Sequence, residues 1–345
     1  SNDPHLGLTL PSIWYQMQLS CPTVNVYGVA LPGCPGIVIG YNKDIAWGVT
    51  NVGSDVMDFY KIRFNNAEKT HYMYNNKWTP TTKYTEEFRL KSGKIIKDTL
   101  IYTHHGPVVY NESKESNFNK NAPAGHAMRW IALETSGSDL MIFYYLNRAK
   151  NYDDYRKALT FYTAPAQNFI FASNQNDIAI TPNGKLPLKW KEQGKYILDG
   201  SMPEHDWQGW IPAEQNPTVK NPPRGFVSSA NQFSTDPTYP YYLGWKFAAP
   251  NRAVRINERL AAMKNANADS LRSILNDNYN VAARRILPTL LPILETSKDA
   301  SIAPAREIMK KWDLMNNPDA VGATIYERWV KELENWIWED EFPVD

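Results

Sequence analysis

The residues of this chain whose types could do chemistry are of three kinds: amides at strand ends, carboxylates in a glycine-bearing loop, and histidines. Asn51 closes the run Ile45-Ala46-Trp47-Gly48-Val49-Thr50, and Asn231 follows Val227-Ser228-Ser229-Ala230. An amide N–H donates without titrating, so its strength does not depend on pH. The structural alternative is a loop asparagine with no catalytic role for Asn51 and, for Asn231, a strand-end asparagine that caps a turn. Asp55 and Asp58 share a bent loop with Gly53. Two carboxylates at that spacing, with the Met57 carbonyl between them, supply the oxygens that a hard cation wants. The six histidines are scattered and support no Ser/His/Asp triad. His104 and His105, which precede Gly106-Pro107 at a strand end, read as structural. Cys21 and Cys34 show no zinc-type spacing. They read either as a disulfide or as two separate thiols, because sequence does not place their Cα atoms within bonding distance.

Strands and turns must position these groups. Ser12–Leu19 alternates, with Ile13, Tyr15, Met17 and Leu19 on one side and Trp14, Gln16 and Gln18 on the other, which predicts a strand. Gly36–Gly40 and Ile45–Thr50 flank Tyr41-Asn42-Lys43-Asp44 as a hairpin. Phe59–Phe64 alternates again, and Tyr84–Leu90 and Lys94–Thr103 read as paired strands across Ser92-Gly93. Tyr110–Gly125 reads as a polar surface loop. Met128–Leu133, Phe169–Ala172, Ile178–Thr181 and Phe226–Asn231 are further short strands. Asp139–Arg148 and Asn151–Tyr162 read as helices. Asn151 caps the second, with Asp153 and Asp154 in the first turn where the helix dipole favours negative charge. Leu186–Gln215, rich in Pro, Gly and Trp, is a long irregular connection. Past Arg252 the apolar spacing becomes helical, in Arg252–Met263, Asp269–Asp277, Val281–Glu295, Pro304–Trp312 and Ala320–Glu339. The class is α+β, strand-rich over 1–250 and helical over 251–345.

Composition narrows the function. At 345 residues, 43% apolar and 21% charged, the chain has the make-up of a globular protein with an ample core. Lys and Arg number 37 against 36 Asp and Glu, a balance that argues against a nucleic-acid binder. No apolar run approaches a membrane span. The 12 Trp and 20 Tyr suit sheet surfaces and wide apolar clefts alike.

A set of short blocks runs in order along the chain. It begins with Asn2-Asp3-Pro4-His5, Leu31-Pro32-Gly33 with Pro35-Gly36, Gly40-Tyr41-Asn42 and Ile45–Asn51. It continues with His105-Gly106-Pro107-Val108, Met128-Arg129-Trp130, Pro165-Ala166-Gln167-Asn168 and Asp206-Trp207-Gln208-Gly209. Ser229-Ala230-Asn231, Arg252-Ala253-Val254-Arg255-Ile256, Pro304-Ala305-Arg306 and Lys311-Trp312-Asp313 complete it. Together these resemble the penicillin acylase (penicillin amidase) family of N-terminal-nucleophile hydrolases.

The resemblance implies an αββα sandwich, two stacked sheets between helical layers. It implies an amidohydrolase that cleaves an N-acyl substrate, whether a penicillin antibiotic, an N-acyl-homoserine lactone or a related amide, through an acyl-enzyme. In that family the nucleophile is an N-terminal serine whose own α-amine is the base. Register places that serine a strand and a turn ahead of Asn2–His5, and the family's chain continues past the segment matching Trp312. This implies an internal fragment of the catalytic β-chain, inactive alone, that comes from a zymogen. The implied partner is an α-chain cut from the same precursor, and the implied compartment is periplasmic or extracellular. The rival reading is a non-catalytic, aromatic-rich extracytoplasmic ligand-binding module.

Residue by residue, the Asn51 backbone N–H matches one arm of the family's oxyanion hole and the Asn231 side-chain amide matches the other. Arg252 matches an arginine near the nucleophile, with Arg255 the competing match if the register slips. The structural alternative is a helix-start arginine paired to a carboxylate. His5 matches a catalytic position that acts through main-chain atoms, so it is not read as a general base. Leu6 and Ile39 match positions lining the acyl pocket, and aliphatic walls suit an aliphatic acyl group. Asp55, the Met57 carbonyl and Asp58 match a calcium loop. The stretch Thr238–Leu243 lacks an aspartate where another ligand would fall, and a further carboxylate would come from the α-chain. No other cofactor is implied.

Overall fold

The structure, a computed structural model, describes residues 1–3, 6–7, 9–109, 125–134 and 137–341. His5 and nearly all of the expected loop Tyr110–Gly125 lie outside the described residues. The chain divides into two compact units, Asn2–Ala248 and a unit that runs from Ala249 onward.

In the first unit the elements follow in chain order. The strands β1 (Tyr15–Cys21), β2 (Val24–Ala30), β3 (Ile39–Asn42), β4 (Ile45–Asn51) and β5 (Met57–Lys61) come first. Then come β6 (His71–Tyr74), β7 (Lys77–Pro80), β8 (Thr82–Arg89), β9 (Ile95–Thr103), β10 (Gly106–Pro107) and β11 (His126–Trp130). The helices α1 (Met141–Leu146) and α2 (Tyr152–Leu159) precede β12 (Gln167–Ser173), β13 (Ile178–Asn183), β14 (Leu198–Asp199) and β15 (Val219–Lys220). The main sheet has seven strands in the order β1-β2-β3-β4-β12-β13-β15. Each neighbour in it is antiparallel. A second ladder runs β11-β5-β14, and β8 and β9 form a long hairpin extended by β10.

One face of the main sheet is apolar and is covered by α1 and α2. Val26, Ile37, Ile45, Trp47, Phe169 and Phe171 pack there against Ile142, Phe143, Leu146, Tyr155 and Leu159. Burial of that kind is the main favourable term in folding. Polar pins set the geometry. The Trp47 indole donates to the Val38 carbonyl at 2.9 Å, and the Tyr155 hydroxyl donates to the Phe169 carbonyl at 2.9 Å. The amide of Asn147, at the C-cap of α1, makes a pair of bonds to the Ile37 backbone. It accepts from the Ile37 N–H at 2.8 Å and donates to the Ile37 carbonyl at 2.9 Å. This couples helix to sheet where the Pro/Gly bend would otherwise leave both groups without partners.

The second unit is helical: α3 (Asn251–Ala262), α4 (Ala268–Leu275), α5 (Val281–Glu295), α6 (Ala303–Lys311) and α7 (Val321–Trp338). Asn267 and Asn280 cap α4 and α5 by accepting from backbone N–H groups at 2.9 and 2.8 Å. Its core gathers Ala283, Leu287, Met309 and Tyr326, with Trp312 and Trp329 packed alongside.

Several expected strands shift: that at Phe59–Phe64 runs instead over Met57–Lys61, and that at Met128–Leu133 ends at Trp130, where Ile131–Glu134 forms a 3-10 helix. The expected strand at Ser12 starts only at Tyr15, because the Ser12 hydroxyl bonds the backbone of Trp14 and bends the chain. Phe226–Asn231 is not a strand. Its last residue is left-handed, with φ +63°, and the Ala230 N–H goes to the Gln232 side chain instead of a ladder partner. By contrast Asn151 caps α2 as expected, accepting from the Asp154 N–H at 2.9 Å.

Asn147→Ala would leave both buried Ile37 backbone groups unpaired. A loss of roughly 2 kcal/mol or more in unfolding free energy is expected, read by urea denaturation. An unchanged midpoint and slope would show that the clamp carries no stability.

Candidate active site

The phase of the β4–β12 ladder decides what the end of β4 presents. In an antiparallel pair, alternate residues direct both backbone groups at the partner strand. The Val52 N–H bonds the Ala166 carbonyl at 3.2 Å, and the Asn174 N–H bonds the Asp44 carbonyl at 2.9 Å. The even-numbered residues of β4 therefore face β12, and Asn51, opposite Gln167, directs its N–H and carbonyl to the other side. On that side β3 pairs only as far as Trp47. Beyond Trp47 no strand covers that edge among the described residues.

Asn231 arrives at this edge. Its Nδ2 donates to the Asn51 carbonyl at 3.0 Å. The left-handed backbone at Asn231 is a conformation that Asn tolerates better than most residues. The Ala248 N–H holds the Asn231 carbonyl at 3.1 Å. Because the Asn51 carbonyl takes one amide N–H, it fixes the amide plane and so the direction of the second. Beneath lies a network of amides and hydroxyls. Asn168 Nδ2, 1% exposed as a residue, reaches Thr50 Oγ1 at 3.2 Å, the Asn51 carbonyl at 3.2 Å and Ser229 Oγ at 3.1 Å. Thr50 and Ser229 hydroxyls lie 2.7 Å apart, and Gln167 Nε2 donates to Asn51 Oδ1 at 2.7 Å. The structure thus brings together Asn51 and Asn231, which are 180 residues apart in sequence. Sequence reasoning quoted Asn168 only within a block and missed it as the hub. A buried amide beside Gln167 on one strand was the available signal.

The other site residues fall elsewhere. Leu6 is about half exposed, and Ile39 is half-buried on β3 against the sheet core. Arg252 lies in the first turn of α3, in the second unit. Arg255 grips Asp277 with Nε at 3.0 Å and Nη2 at 2.8 Å, and Arg259 shares the same carboxylate. Arg255 thus takes the structural role offered above for a helix-start arginine.

Asp55 and Asp58 hold a cation that the chain itself supplies. Lys189, 6% exposed, places Nζ 2.9 Å from Asp55 Oδ2 and donates to Asp58 Oδ1 at 2.9 Å. The Trp207 indole N–H donates to the second oxygen of Asp58. Burial pushes the Asp55 carboxyl above the usual carboxylate range, against the pull of Lys189. Gly194, at φ +82°, lies so close that a Cβ there would sit 1.7 Å from Asp58 Oδ1. A calcium ion needs six to eight oxygens at about 2.3–2.6 Å. The donor set as it stands does not fit one, because the ammonium holds the space between the two carboxylates. Met57, the third expected ligand, begins β5 with its side chain partly exposed. Sequence reasoning missed Lys189, which lies 131 residues from Asp58 in the irregular connection.

Near this cluster His105 stacks on Tyr60, with ring centroids 3.9 Å apart and planes 12° apart. Burial, and then the neighbouring His104, push its pKa down to about 4.

The fold is that of an N-terminal-nucleophile hydrolase. The thermostable penicillin G acylase from Alcaligenes faecalis matches it with a TM-score of 0.80 at 19% identity, over 99% of this chain and 62% of that one. The chain belongs to the penicillin amidase family, whose sequence model matches residues 1–345. It is 28% identical to the acyl-homoserine lactone acylase QuiP of Pseudomonas aeruginosa over 276 residues, 79% of this chain and 32% of that protein. It is 24% identical to penicillin G acylase of Escherichia coli over 348 residues, 97% of this chain and 39% of that protein. The chain thus spans about a third to two fifths of the length of these relatives.

With Lys189 in place, added calcium should leave the melting temperature of the chain unchanged in calorimetry. Lys189→Met strands two buried carboxylates and should cost about 3–5 kcal/mol in a urea melt. A calcium-induced rise in the parent chain would show that this metal, not the ammonium, holds the cluster.

Proposed function

We propose that this chain is part of an acylase that hydrolyses the linear amide of an N-acyl substrate through an acyl-enzyme. The observation that carries the reading is the Asn231 amide held 3.0 Å from the Asn51 carbonyl, at the uncovered edge of β4. In this reading two N–H donors of different origin, the Asn51 backbone and the Asn231 side chain, act together there. Such a pair suits the negative oxygen of a tetrahedral intermediate. In this reading a serine at the N-terminus of the mature catalytic chain attacks the acyl carbonyl carbon. Its α-amine takes the hydroxyl proton and passes it to the departing amine. Water then attacks the ester, and the oxyanion again rests on Asn51 N–H and Asn231 Nδ2. Neither donor titrates, so the pH dependence of turnover belongs to the amine.

The nucleophile in this reading is not Ser1 but the serine that the family resemblance places a strand and a turn ahead of the block Asn2–His5. An α-chain from the same precursor completes the enzyme, which works in the periplasm or outside the cell. No helix among the described residues is long and apolar enough to cross a membrane. The aliphatic Leu6 and Ile39 favour an aliphatic acyl group.

In the processed full-length enzyme, Asn231→Ala should lower kcat by about 10² to 10³. Near-normal turnover in a correctly processed variant would remove Asn231 from the oxyanion hole. Incubating the present chain with acyl-amides and a serine-directed covalent inhibitor should label nothing, whereas the chain extended upstream through the expected junction should be acylated once. Mass-spectrometric acylation of Ser1 would overturn the assignment. Inertness of the extended, α-chain-paired protein would favour a ligand-binding module.

A further inference from the structure

The turn between β9 and β10 carries two adjacent histidines. Thr103 pairs with Gly106, so His104 and His105 are the two loop residues of a tight hairpin. Their rings lie 3.8 Å apart. Asp206, which ends the short helical turn Pro203–His205, is brought to both. Its Oδ1 lies 3.4 Å from His104 Nε2 and 3.4 Å from His105 Nδ1.

The hydrogen bonds around this group define which atoms carry lone pairs. His105 Nε2 lies 3.0 Å from the Gly200 carbonyl. A carbonyl only accepts, so the Nε2 carries the proton, and in the neutral ring Nδ1 is a bare lone pair. That Nδ1 is buried and has no hydrogen-bond partner, on a side chain with no exposed surface. It is aimed at a carboxylate oxygen, which is also an acceptor. Two acceptors face each other across 3.4 Å with nothing positive between them. Asp206 is held from behind, since its Oδ2 accepts from the Tyr74 hydroxyl at 2.7 Å. His104 Nδ1 lies 2.9 Å from the Tyr72 hydroxyl, which can serve either tautomer.

We propose that His104 Nε2, His105 Nδ1 and Asp206 Oδ1 form a Zn²⁺ site. Zinc binds nitrogen at about 2.0–2.1 Å and carboxylate oxygen at about 2.0–2.2 Å in a tetrahedron, whose edges are then about 3.3–3.5 Å. The two histidine–aspartate separations match that edge. The three ligand atoms all lie within 4.8 Å of one another, and the third edge closes by rotation of His104, whose side chain is 31% exposed. That exposed side leaves the fourth position to water. The outer contacts are those typical of metal-bound histidine and carboxylate: Gly200 carbonyl on His105, Tyr72 on His104, Tyr74 on Asp206. Bound zinc would tie the β9–β10 turn to the loop ending at Asp206, 102 residues after His104 in sequence. The Lys189 cluster is a separate group with its own cation.

The test uses the tag-free chain, stripped with chelator and titrated with Zn²⁺ by calorimetry, and with Co²⁺ by visible absorption. One equivalent of Zn²⁺ and the intense d–d bands of tetrahedral cobalt are expected. His104→Gln and Asp206→Asn should each weaken binding by at least about 10-fold, while His71→Gln leaves it unchanged. X-ray absorption at the zinc edge of the unaltered chain needs no variant and should show two imidazole nitrogens. No stoichiometric uptake, zinc without imidazole scattering, or uptake indifferent to both substitutions would overturn the site and leave a buried histidine–aspartate contact.

Discussion

The hydrogen-bonding phase of β4 against β12 is the constraint on which the candidate site depends. A strand alternates with a period of two, so a slip of one residue exchanges both faces and both edges. In the observed register Trp47 and Phe171 sit opposite each other in the apolar core, and Asn51 sits opposite Gln167. The same phase turns the Asn51 backbone away from β12, toward the edge where β3 has ended. A slip would bury Ala46 and expose Trp47. The hydrophobic cost of that exchange holds the polar end of the strand in place, although none of the residues that carry the cost lies at the site. Gly48 serves the same end, because a Cβ there would meet the Asn2 side chain 2.2 Å away.

The first unit also buries an unusual amount of paired polarity. Asp58, Lys189 and Trp207 form one group, and Asp206, His105 and Tyr60 lie close by, since Trp207 follows Asp206 and Tyr60 follows Asp58 by two residues. Taking charges out of water costs several kcal/mol per ion, and mutual attraction offsets this only with close geometry and further hydrogen bonds. Here Asp58 has both: an ammonium on one oxygen and an indole N–H on the other. The return is positional. These contacts join β5, the segment around Lys189 and the loop at Asp206–Trp207, a region with few regular ladders of its own. A tethered ammonium does this without depending on the ion content of the medium.

The site at Asn51 and Asn231 is built without titrating groups. Its framework is amide on carbonyl, amide on hydroxyl and hydroxyl on hydroxyl, arranged around the buried Asn168. Neutral hydrogen bonds of this kind contribute modestly one by one, but an unpaired buried member is expensive, so the set holds its geometry as a unit. Donors fixed in this way need little reorganisation as charge develops on a bound carbonyl.

Periodicity in the sequence was enough to determine the α+β class, the hairpin around Tyr41–Asp44, the cap at Asn151 and the helical texture past Arg252. Each follows from local alternation, local capping or helical spacing, and needs no distant partner. The ordered blocks located Asn51, Asn231, Asp55 and Asp58 as residues worth attention. Their neighbours in space were beyond local pattern. The Asn231–Asn51 contact, Asn168 as its hub, Lys189 between two carboxylates and Asp206 beside two histidines all join segments more than 100 residues apart. Nothing in a lysine's sequence surroundings says that it is buried. Only the packed fold decides whether two carboxylates wait for a metal or already hold an ammonium, because that depends on which side chain the long irregular connection delivers to the space between them.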